Sequence, residues 1–292
     1  MEIHQLRMFL KVAEHGGFTR AARECGVSQP AISQQIARLE SDLGRPVFER
    51  RGRGVRLTEA GELLRRRALQ IVSLADDAKR LLRDDGETGT VVVSAIPTIA
   101  PYWLPRVLSA FRERRPQARV EVNEEVTDVI LKRCALGEID VGLLALPAER
   151  GYLRFDALFE EELLLTTAAD HPLSARARVA LSDLRDMPFV LLDEAHCLSA
   201  DIQGFCRRNR FQPVSSGRTN QLATVQELVA LGFGISFVPE MARALDVDPR
   251  RAYRSLDGER PSRVITACWN PDRYMPRLAA AFLETLKEVR PK

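Results

Sequence analysis

The stretch Ser28-Gln29-Pro30-Ala31-Ile32-Ser33-Gln34-Gln35-Ile36 predicts the start of a helix with one apolar and one short polar face. Ser28 is a suitable N-cap, and Pro30 falls in the first turn, where its missing N–H would have no helical partner. The apolar residues that recur at helical spacing, and so predict the buried face, are Ala31, Ile32, Ile36, Leu39 and Leu43. The outward side chains are then Gln29, Ser33, Gln34 and Arg38.

Two shorter helices are predicted before this one. The first ends at Gly16-Gly17, and the second begins at Phe18-Thr19, with Thr19 as its expected N-cap, and ends near Cys25-Gly26-Val27. Two short helices, a tight turn and a third helix form a helix-turn-helix, whose last helix enters the major groove of DNA. Gln and Ser suit that position because they hydrogen-bond to base edges, with Gln matching adenine. The residues of this helix expected to contact DNA are Gln29, Pro30, Ser33, Gln34 and Arg38.

Residues 47–57, Val-Phe-Glu-Arg-Arg-Gly-Arg-Gly-Val-Arg-Leu, predict two short strands around a turn, which is a wing. We expect Arg50, Arg53 and Arg56 to contact phosphates or the minor groove, adding affinity more than sequence choice. Residues 1–57 carry ten Arg plus Lys against six Asp plus Glu, a basic balance that favours a polyanionic partner. The alternative is a solvated hairpin on a helical domain.

Composition excludes several classes of protein. The 292 residues are 45% hydrophobic and 28% charged, which is ordinary for a soluble globular chain. The sequence has neither an apolar run long enough for a membrane helix nor a signal peptide, so we expect no membrane partner and a cytoplasmic location. The five cysteines have no metal-ligand spacing and no catalytic constellation is evident, so no enzyme activity, metal or cofactor is expected.

A long helix is predicted from the N-cap Thr58 to about Asp85, ending before the hinge Gly86-Glu87-Thr88-Gly89. Its apolar seam follows alternating four- and three-residue steps, which are typical of a coiled coil. The seam residues are Ala60, Leu64, Arg67, Ile71, Leu74, Ala78 and Leu81. The seam predicts a homodimer on a pseudo-palindromic DNA site. Packing of the stripe on its own chain alone is the alternative.

From Thr90 onward, apolar strands alternate with helices, which argues for a parallel sheet covered on both faces. Two such sets follow one another and predict two lobes. Ligands of open α/β sheets bind beyond the strand ends. In this chain that position is occupied by Pro97-Thr98-Ile99, by Thr127 and by the segment 193–208.

Several motifs together resemble the LysR-type transcriptional regulators over essentially the whole chain. They are Phe18-Thr19-Arg20-Ala21-Ala22, Ser28-Gln29-Pro30-Ala31-Ile32-Ser33, Leu39-Glu40, Leu43-Gly44, Phe48-Glu49-Arg50 and Leu57-Thr58-Glu59-Ala60-Gly61. The resemblance implies a winged helix-turn-helix domain at 1–57, a linker and dimerisation helix at 58–87, and an α/β sensor domain at 88–292. That sensor domain would have the type 2 periplasmic-binding-protein fold, with lobes 88–161 plus 264–292 and 162–263. The implied partners are double-stranded DNA, RNA polymerase and a second copy in a homodimer or homotetramer.

Cys197 and Cys206 lie nine positions apart. On one continuous helix they would face opposite sides, about 13 Å apart along the axis, too far for a disulfide. The segment from Asp193 to Cys206 resembles the peroxide-sensing OxyR subfamily. That resemblance implies that hydrogen peroxide oxidises Cys197, that Cys206 then forms a disulfide with it, and that Thr98, Thr127 and His196 line the site. A helix N-terminus at Cys197 would favour its thiolate.

Three positions depart from the subfamily pattern. Ser199-Ala200 stand where Arg-Asp is usual, and Asn270 where Arg is usual, so fewer polar groups are expected around the site. The alternative is a regulator of the same fold that senses an organic metabolite, with structural cysteines. A solute-binding module or enzyme built on the same body is a third reading. Cys25, Cys134 and Cys268 each fall on predicted core faces.

Overall fold

The computed structural model describes residues 1–51, 54–146, 151–185, 187–211 and 213–291, with the backbone alone at Arg50, Arg51, Ser215 and Ser216. The chain divides into two compact units, Met1–Arg83 and Asp84–Lys292. Among the described residues, no helix combines the length and the apolar character needed to cross a membrane.

Three helices open the first unit: α1 (Ile3–His15), α2 (Phe18–Glu24) and α3 (Gln29–Leu43). The predicted start of α3 is confirmed, since the Ala31 N–H donates to Ser28 Oγ at 3.3 Å. Thr19 is not the N-cap of α2, because the helix begins one residue earlier and Gly17 caps it. Phe18 packs against Phe48, with 5.9 Å between ring centroids.

A two-stranded wing follows, formed by β1 (Phe48–Arg51) and β2 (Gly54–Leu57) in antiparallel pairing. The Val55 N–H donates to the Gly16 carbonyl at 3.0 Å, which ties the wing to the turn before α2. The unit's core contains apolar side chains from its helices and wing: Leu6, Phe9, Val12, Ala21, Ala22, Ile32, Ile36, Leu39, Val47 and Ala68. Arg53, predicted as a wing contact, lies outside the described residues.

The long helix α4 spans Glu59–Arg83. Thr58 caps it, accepting the Gly61 N–H on Oγ1 at 3.0 Å. The predicted apolar seam divides into two parts. Leu64 packs on the core of the first unit, whereas Ile71, Leu74 and Leu81 are 36%, 58% and 56% exposed. The described residues of the first unit therefore leave the second half of the seam uncovered.

The second unit contains α/β elements in chain order. They are β3 (Gly89–Ala95), α5 (Leu104–Arg114), β4 (Ala118–Glu124), α6 (Thr127–Leu136), β5 (Val141–Ala145), β6 (Arg154–Ala168), a 3₁₀ turn (Leu181–Leu184), β7 (Pro188–Leu192), α7 (Cys197–Arg208), β8 (Val214–Thr219), α8 (Leu222–Ala230), β9 (Ser236–Pro239), α9 (Glu240–Leu245), β10 (Arg251–Arg254), β11 (Ser262–Trp269) and α10 (Arg277–Glu288).

The sheets are mixed. β3 pairs parallel with β4 and β5, and β7 pairs parallel with β8, as predicted. The prediction of an all-parallel sheet is wrong elsewhere, because β11 runs antiparallel to β5 and β6, and β9 and β10 run antiparallel to β6. Two separate apolar cores result. The core beneath β3, β5 and β11 belongs to the first lobe, and the core beneath β6, β7 and β9 belongs to the second lobe.

The strand β6 belongs to both lobes. Its first part pairs with β11 up to Glu162, and its second part, from Leu163, pairs with β9 and β10. The Leu163 N–H donates to the Pro261 carbonyl at 2.8 Å where the chain crosses between the lobes. The lobes are thus joined by a continuous strand.

The segment after α4, which contains the predicted hinge, is held by hydrogen bonds to Asp84 and Asp85. The Asp84 carboxylate accepts the N–H of Arg277 at 2.7 Å and the hydroxyl of Tyr274 at 2.8 Å. Asp85 accepts the N–H and the hydroxyl of Thr88 at 2.7 and 2.6 Å. The bonds from Thr88 lower the pKa of Asp85 to about 2. The bond from Arg277 to Asp84 fixes the start of the second unit on α10.

Candidate sensing site and DNA-binding face

Cys197 is the first residue of α7 and is half-buried. Its side chain packs against the core of the first lobe, although α7 belongs by sequence to the second. Around the thiol stand Thr127, the first residue of α6, and the backbone N–H of Ala145, at the end of β5. The site therefore lies where first-lobe strands end, as the position of ligands in α/β sheets predicts.

Opposing effects set the pKa of the Cys197 thiol. Burial raises the pKa of the Cys197 thiol, the nearby Arg263 guanidinium opposes that rise, and Asp201 adds to it. The predicted helix N-terminus is present at Cys197, and the net shift of the Cys197 pKa is upward, towards the neutral thiol. Desolvation of the charged form therefore outweighs the stabilisation of the thiolate by Arg263, Thr127 and the Ala145 N–H.

Arg263, at the start of β11, is one of two residues at this site that the sequence did not indicate. Its guanidinium is buried and donates to Thr98 Oγ1 at 2.7 Å, to the Thr98 carbonyl at 3.1 Å and to Glu161 Oε1 at 2.8 Å. Glu161 Oε2 in turn accepts the N–H of Met241 at 3.2 Å. Thr98, a predicted site residue, is thus fixed by a buried cation.

Thr127 and His196, the other predicted pocket residues, also lie at the site. Thr127 Oγ1 is buried and has no hydrogen-bond partner of normal geometry among the described residues, although its approach to the Cys197 thiol lowers that pKa. An unsatisfied hydroxyl beside a thiol can receive or donate a hydrogen bond when a small polar molecule enters. His196 is buried at the N-cap of α7, and its backbone N–H donates to the Asp193 carbonyl at 3.0 Å.

Cys206 lies on the other side of α7, in the core of the second lobe, and is fully buried. Burial raises its pKa to about 11. Both cysteines are free thiols. The helix α7 is continuous from Cys197 to Arg208. The two cysteines therefore face opposite sides of it, about 13 Å apart along the axis, as helix geometry requires.

The three departures from the subfamily pattern have different consequences. Ser199 is buried and accepts Gln203 Nε2–H at 3.3 Å, while Ala200 is exposed. Asn270 follows the far end of β11 and donates to the Ala135 carbonyl at 3.0 Å. The cation that acts on Cys197 is Arg263, at the opposite end of β11 from Asn270.

Asp201 is one helical turn after Cys197 and was not predicted as a site residue. Burial raises its pKa to about 6, although Arg263 and Arg208 oppose that rise. Its Oδ2 atom is buried without a hydrogen-bond partner among the described side chains and backbone. A carboxyl group with this pKa changes charge within the physiological range.

The predicted DNA-reading residues lie on the outer side of the first unit. Gln29, Pro30, Gln34 and Arg38 on α3 are exposed, and Ser33 is half-buried and accepts Gln29 Nε2–H at 3.3 Å. On the wing, Arg56 is exposed, and Arg50 is described by its backbone, paired with Val55. The apolar face is narrower than predicted, since Leu43 is 38% exposed.

One group of described side chains has ligand atoms close enough to hold a metal ion: Glu14, His15 and Glu24. The Lys11 ammonium already lies 2.9 Å from Glu14 and 2.6 Å from Glu24. This shared cationic partner makes the group a surface ion-pair network, which offsets part of the carboxylate charge without a metal. Cys134 and Cys268 are buried in the first-lobe core with their Sγ atoms 3.7 Å apart.

Comparison with known proteins agrees with these two units. Residues 3–62 match the model for bacterial regulatory helix-turn-helix proteins of the lysR family, and residues 84–291 match the LysR substrate binding domain. The chain therefore belongs to the LysR family, a class of DNA-binding transcriptional regulators and not of enzymes.

Similarity within the family points to one group. The chain is 32% identical over 295 residues to the hydrogen peroxide-inducible genes activator of Pectobacterium carotovorum subsp. carotovorum, covering 99% of this chain and 96% of that protein. It superposes on a full-length OxyR variant from Pseudomonas aeruginosa with a TM-score of 0.79, at 27% identity and 99% coverage of both chains. A peroxide-bound OxyR cysteine-to-serine variant from Corynebacterium glutamicum gives a TM-score of 0.65 at 32% identity, covering 99% and 94%.

Proposed function

We propose that this regulator senses hydrogen peroxide through Cys197. The observation that carries the proposal is the placement of the Cys197 thiol beside Thr127, the Ala145 N–H and the buried Arg263, at the lobe interface. These groups can orient a small molecule with two oxygens and stabilise the thiolate that attacks it. Thr98, Thr127 and His196 form the pocket in this proposal, and the similarity to peroxide-inducible activators supports the choice of oxidant.

The proposed signal is a disulfide between Cys197 and Cys206. Peroxide converts the Cys197 thiol to a sulfenic acid and releases one water, and the Cys206 thiol then displaces a second water as the sulfur–sulfur bond forms. A bridge requires the two Cα atoms to lie within about 7 Å, so α7 has to unwind before it closes. That unwinding removes Ile202 and Phe205 from the second-lobe core and rearranges the sensor domain.

The measurement that tests this is the intact mass of the full-length protein after a few equivalents of peroxide. Wild type should lose two hydrogens, with the bridge mapped to Cys197 and Cys206. Cys206→Ser should retain a sulfenic acid that dimedone traps, and Cys197→Ser should be unchanged. Cys25→Ser, a matched change outside the sensor domain, should behave as wild type. Loss of the same two hydrogens in Cys197→Ser would contradict the proposal.

An organic effector between the lobes is the alternative. In that case Cys206→Ser would not alter the response, and an organic ligand would raise the melting temperature of the purified protein whether or not Cys197 is reduced. The raised pKa of Cys197 is the observation that favours this alternative. Failure of the protein to bind any duplex DNA at low salt would instead favour a solute-binding module.

We also propose that residues 1–57 read DNA, that 58–87 dimerise, and that 88–292 sense the signal in two lobes. The exposed half of the α4 seam, at Ile71, Leu74 and Leu81, supports a homodimer, from which a homotetramer can assemble. A dimer places two α3 helices on half-sites about one turn of DNA apart, which calls for a pseudo-palindromic site. RNA polymerase is a further proposed partner.

We expect different residues to read the bases and to bind the phosphates. Gln29→Ala should weaken binding by about 1–3 kcal/mol on a duplex selected by wild type from a random pool, with little effect on random DNA. Arg56→Ala should weaken both duplexes equally and reduce the salt slope by about 1. Fluorescence anisotropy over a range of salt concentrations measures both effects. Equal losses on both duplexes for Gln29→Ala would contradict its role as a base reader.

A further inference from the structure

The proposed oxidation of Cys197 requires two proton transfers. A buried thiol with a raised pKa is mostly protonated at neutral pH, yet only the thiolate attacks peroxide. The attack also releases hydroxide, a poor leaving group unless it is protonated as it departs. The site therefore requires a group that removes one proton and returns one.

We infer that Asp201 is this group, accepting the proton of the Cys197 thiol and delivering it to the leaving oxygen of the peroxide. The inference rests on the proposed function. Residues four apart on a helix share one face, which places the Asp201 carboxyl over the same side of α7 as the Cys197 thiol. Asp201 Oδ2 is buried and has no hydrogen-bond partner among the residues described.

The charges around the pair support a shared proton. The charge of Asp201 raises the pKa of Cys197, and the charge of Arg263 lowers the pKa of both groups. Two anions together in a partly desolvated site are costly, so the pair retains one proton, carried either by sulfur or by the carboxylate. The other charged groups nearby are Arg208 on α7 and Glu161 on β6 behind Arg263. The buried imidazole of His196 belongs to the residue directly before Cys197.

The step balances in atoms and electrons. The Cys197 proton passes to the Asp201 carboxylate, the sulfur electron pair attacks one peroxide oxygen, and the oxygen–oxygen bond breaks. The departing oxygen takes the proton from Asp201 and leaves as water. Sulfur is oxidised to a sulfenic acid, peroxide is reduced, and the carboxylate is regenerated. The pKa of Asp201, raised to about 6 by burial, suits a group that must both accept and donate near neutral pH.

The test compares two reagents on the Cys206→Ser protein, in which oxidation stops at the sulfenic acid. Asp201→Asn should slow peroxide oxidation of Cys197 by about 100-fold or more, followed by dimedone trapping and intact mass. Iodoacetamide releases iodide, which needs no proton, and removal of the Asp201 charge lowers the pKa of Cys197. Its alkylation rate should therefore stay the same or rise. A general distortion of the site would change both rates in the same direction.

The matched control is Glu194→Gln, which removes one carboxylate three residues before Cys197 at an exposed position and should leave both rates unchanged. The pH profile is an independent test that needs no substitution at Asp201. Peroxide oxidation in the Cys206→Ser protein should rise with a midpoint near pH 6, and Asp201→Asn should lose that rise. Equal peroxide rates with and without Asp201, or no rise near pH 6, would overturn the inference alone. No reaction at Cys197 in wild type would overturn the proposed function and the inference together.

Discussion

Replacement of Arg263 by Met should remove about 3–5 kcal/mol from the unfolding free energy of the unit Asp84–Lys292, because it leaves a buried carboxylate without its cation. The side chains of Arg263 and Glu161 are 0% and 3% exposed, and their charged atoms lie 2.7 Å apart. Met has a similar length but no charge and no N–H group. Thr98 would therefore also lose two donors. Urea-induced unfolding, monitored by tryptophan fluorescence, measures the change.

Arg260→Met is the matched control for this prediction. Arg260 precedes the same strand, β11, and lies 3.4 Å from Glu162, but its side chain is 58% exposed. An exposed pair of this kind contributes about 0–1 kcal/mol, so the control should be close to wild type. Combining Arg263→Met with Glu161→Gln should recover part of the loss, since the uncompensated charge is then absent. Similar small losses from both single variants would show that the Arg263 pair is not a buried ion pair in solution.

Gly61→Ala should destabilise the unit Met1–Arg83 and abolish DNA binding without affecting the second unit. A Cβ atom at position 61 would lie 2.2 Å from the Val47 carbonyl oxygen and 2.9 Å from Leu57 Cδ2. The first of these contacts is with backbone, so the start of α4 or the chain at Val47, just before the wing, has to move. Overpacking of this kind costs about 1–3 kcal/mol and can cost more when the backbone must shift.

Two measurements separate this effect from a general loss of folding. Binding to a labelled random-sequence duplex at low salt should disappear, while the urea unfolding of the second unit should remain as in wild type. Gly17→Ala is the control, because a Cβ atom at that glycine meets nothing within 4 Å and its φ of −176° suits any residue. Retained DNA affinity in Gly61→Ala would show that the contact between α4 and the wing can relax.

The first unit was largely readable from the sequence because its signals are local. Capping by Ser28 and Thr58, the glycine C-cap at Gly16 and helical periodicity each act within a few residues. The division of the α4 seam into a buried and an exposed part could not be predicted from the sequence. Periodicity marks an apolar stripe but not which half of it meets the unit's own core, and here Leu64 does while Leu74 does not.

The second unit was predicted less well, since its decisive contacts are distant in sequence. Thr98 and Arg263 are hydrogen-bonded partners separated by 165 positions, so no local pattern links them. Asp201 lies on a predicted helix and is ordinary by sequence, and only burial sets its pKa apart. The alternation of strands and helices indicated an α/β fold but could not give the direction of β11, which depends on where the chain returns.

The late return of the chain as β11 affects the order in which the two lobes can fold during translation. β11 lies between β5 and β6, so the first lobe lacks a central strand until residues 262–269 have been synthesised. The second lobe uses one uninterrupted stretch of chain, from the end of β6 to β10. During translation it can therefore complete its core first, around Cys206, while the surface that receives Cys197 is still missing its last strand.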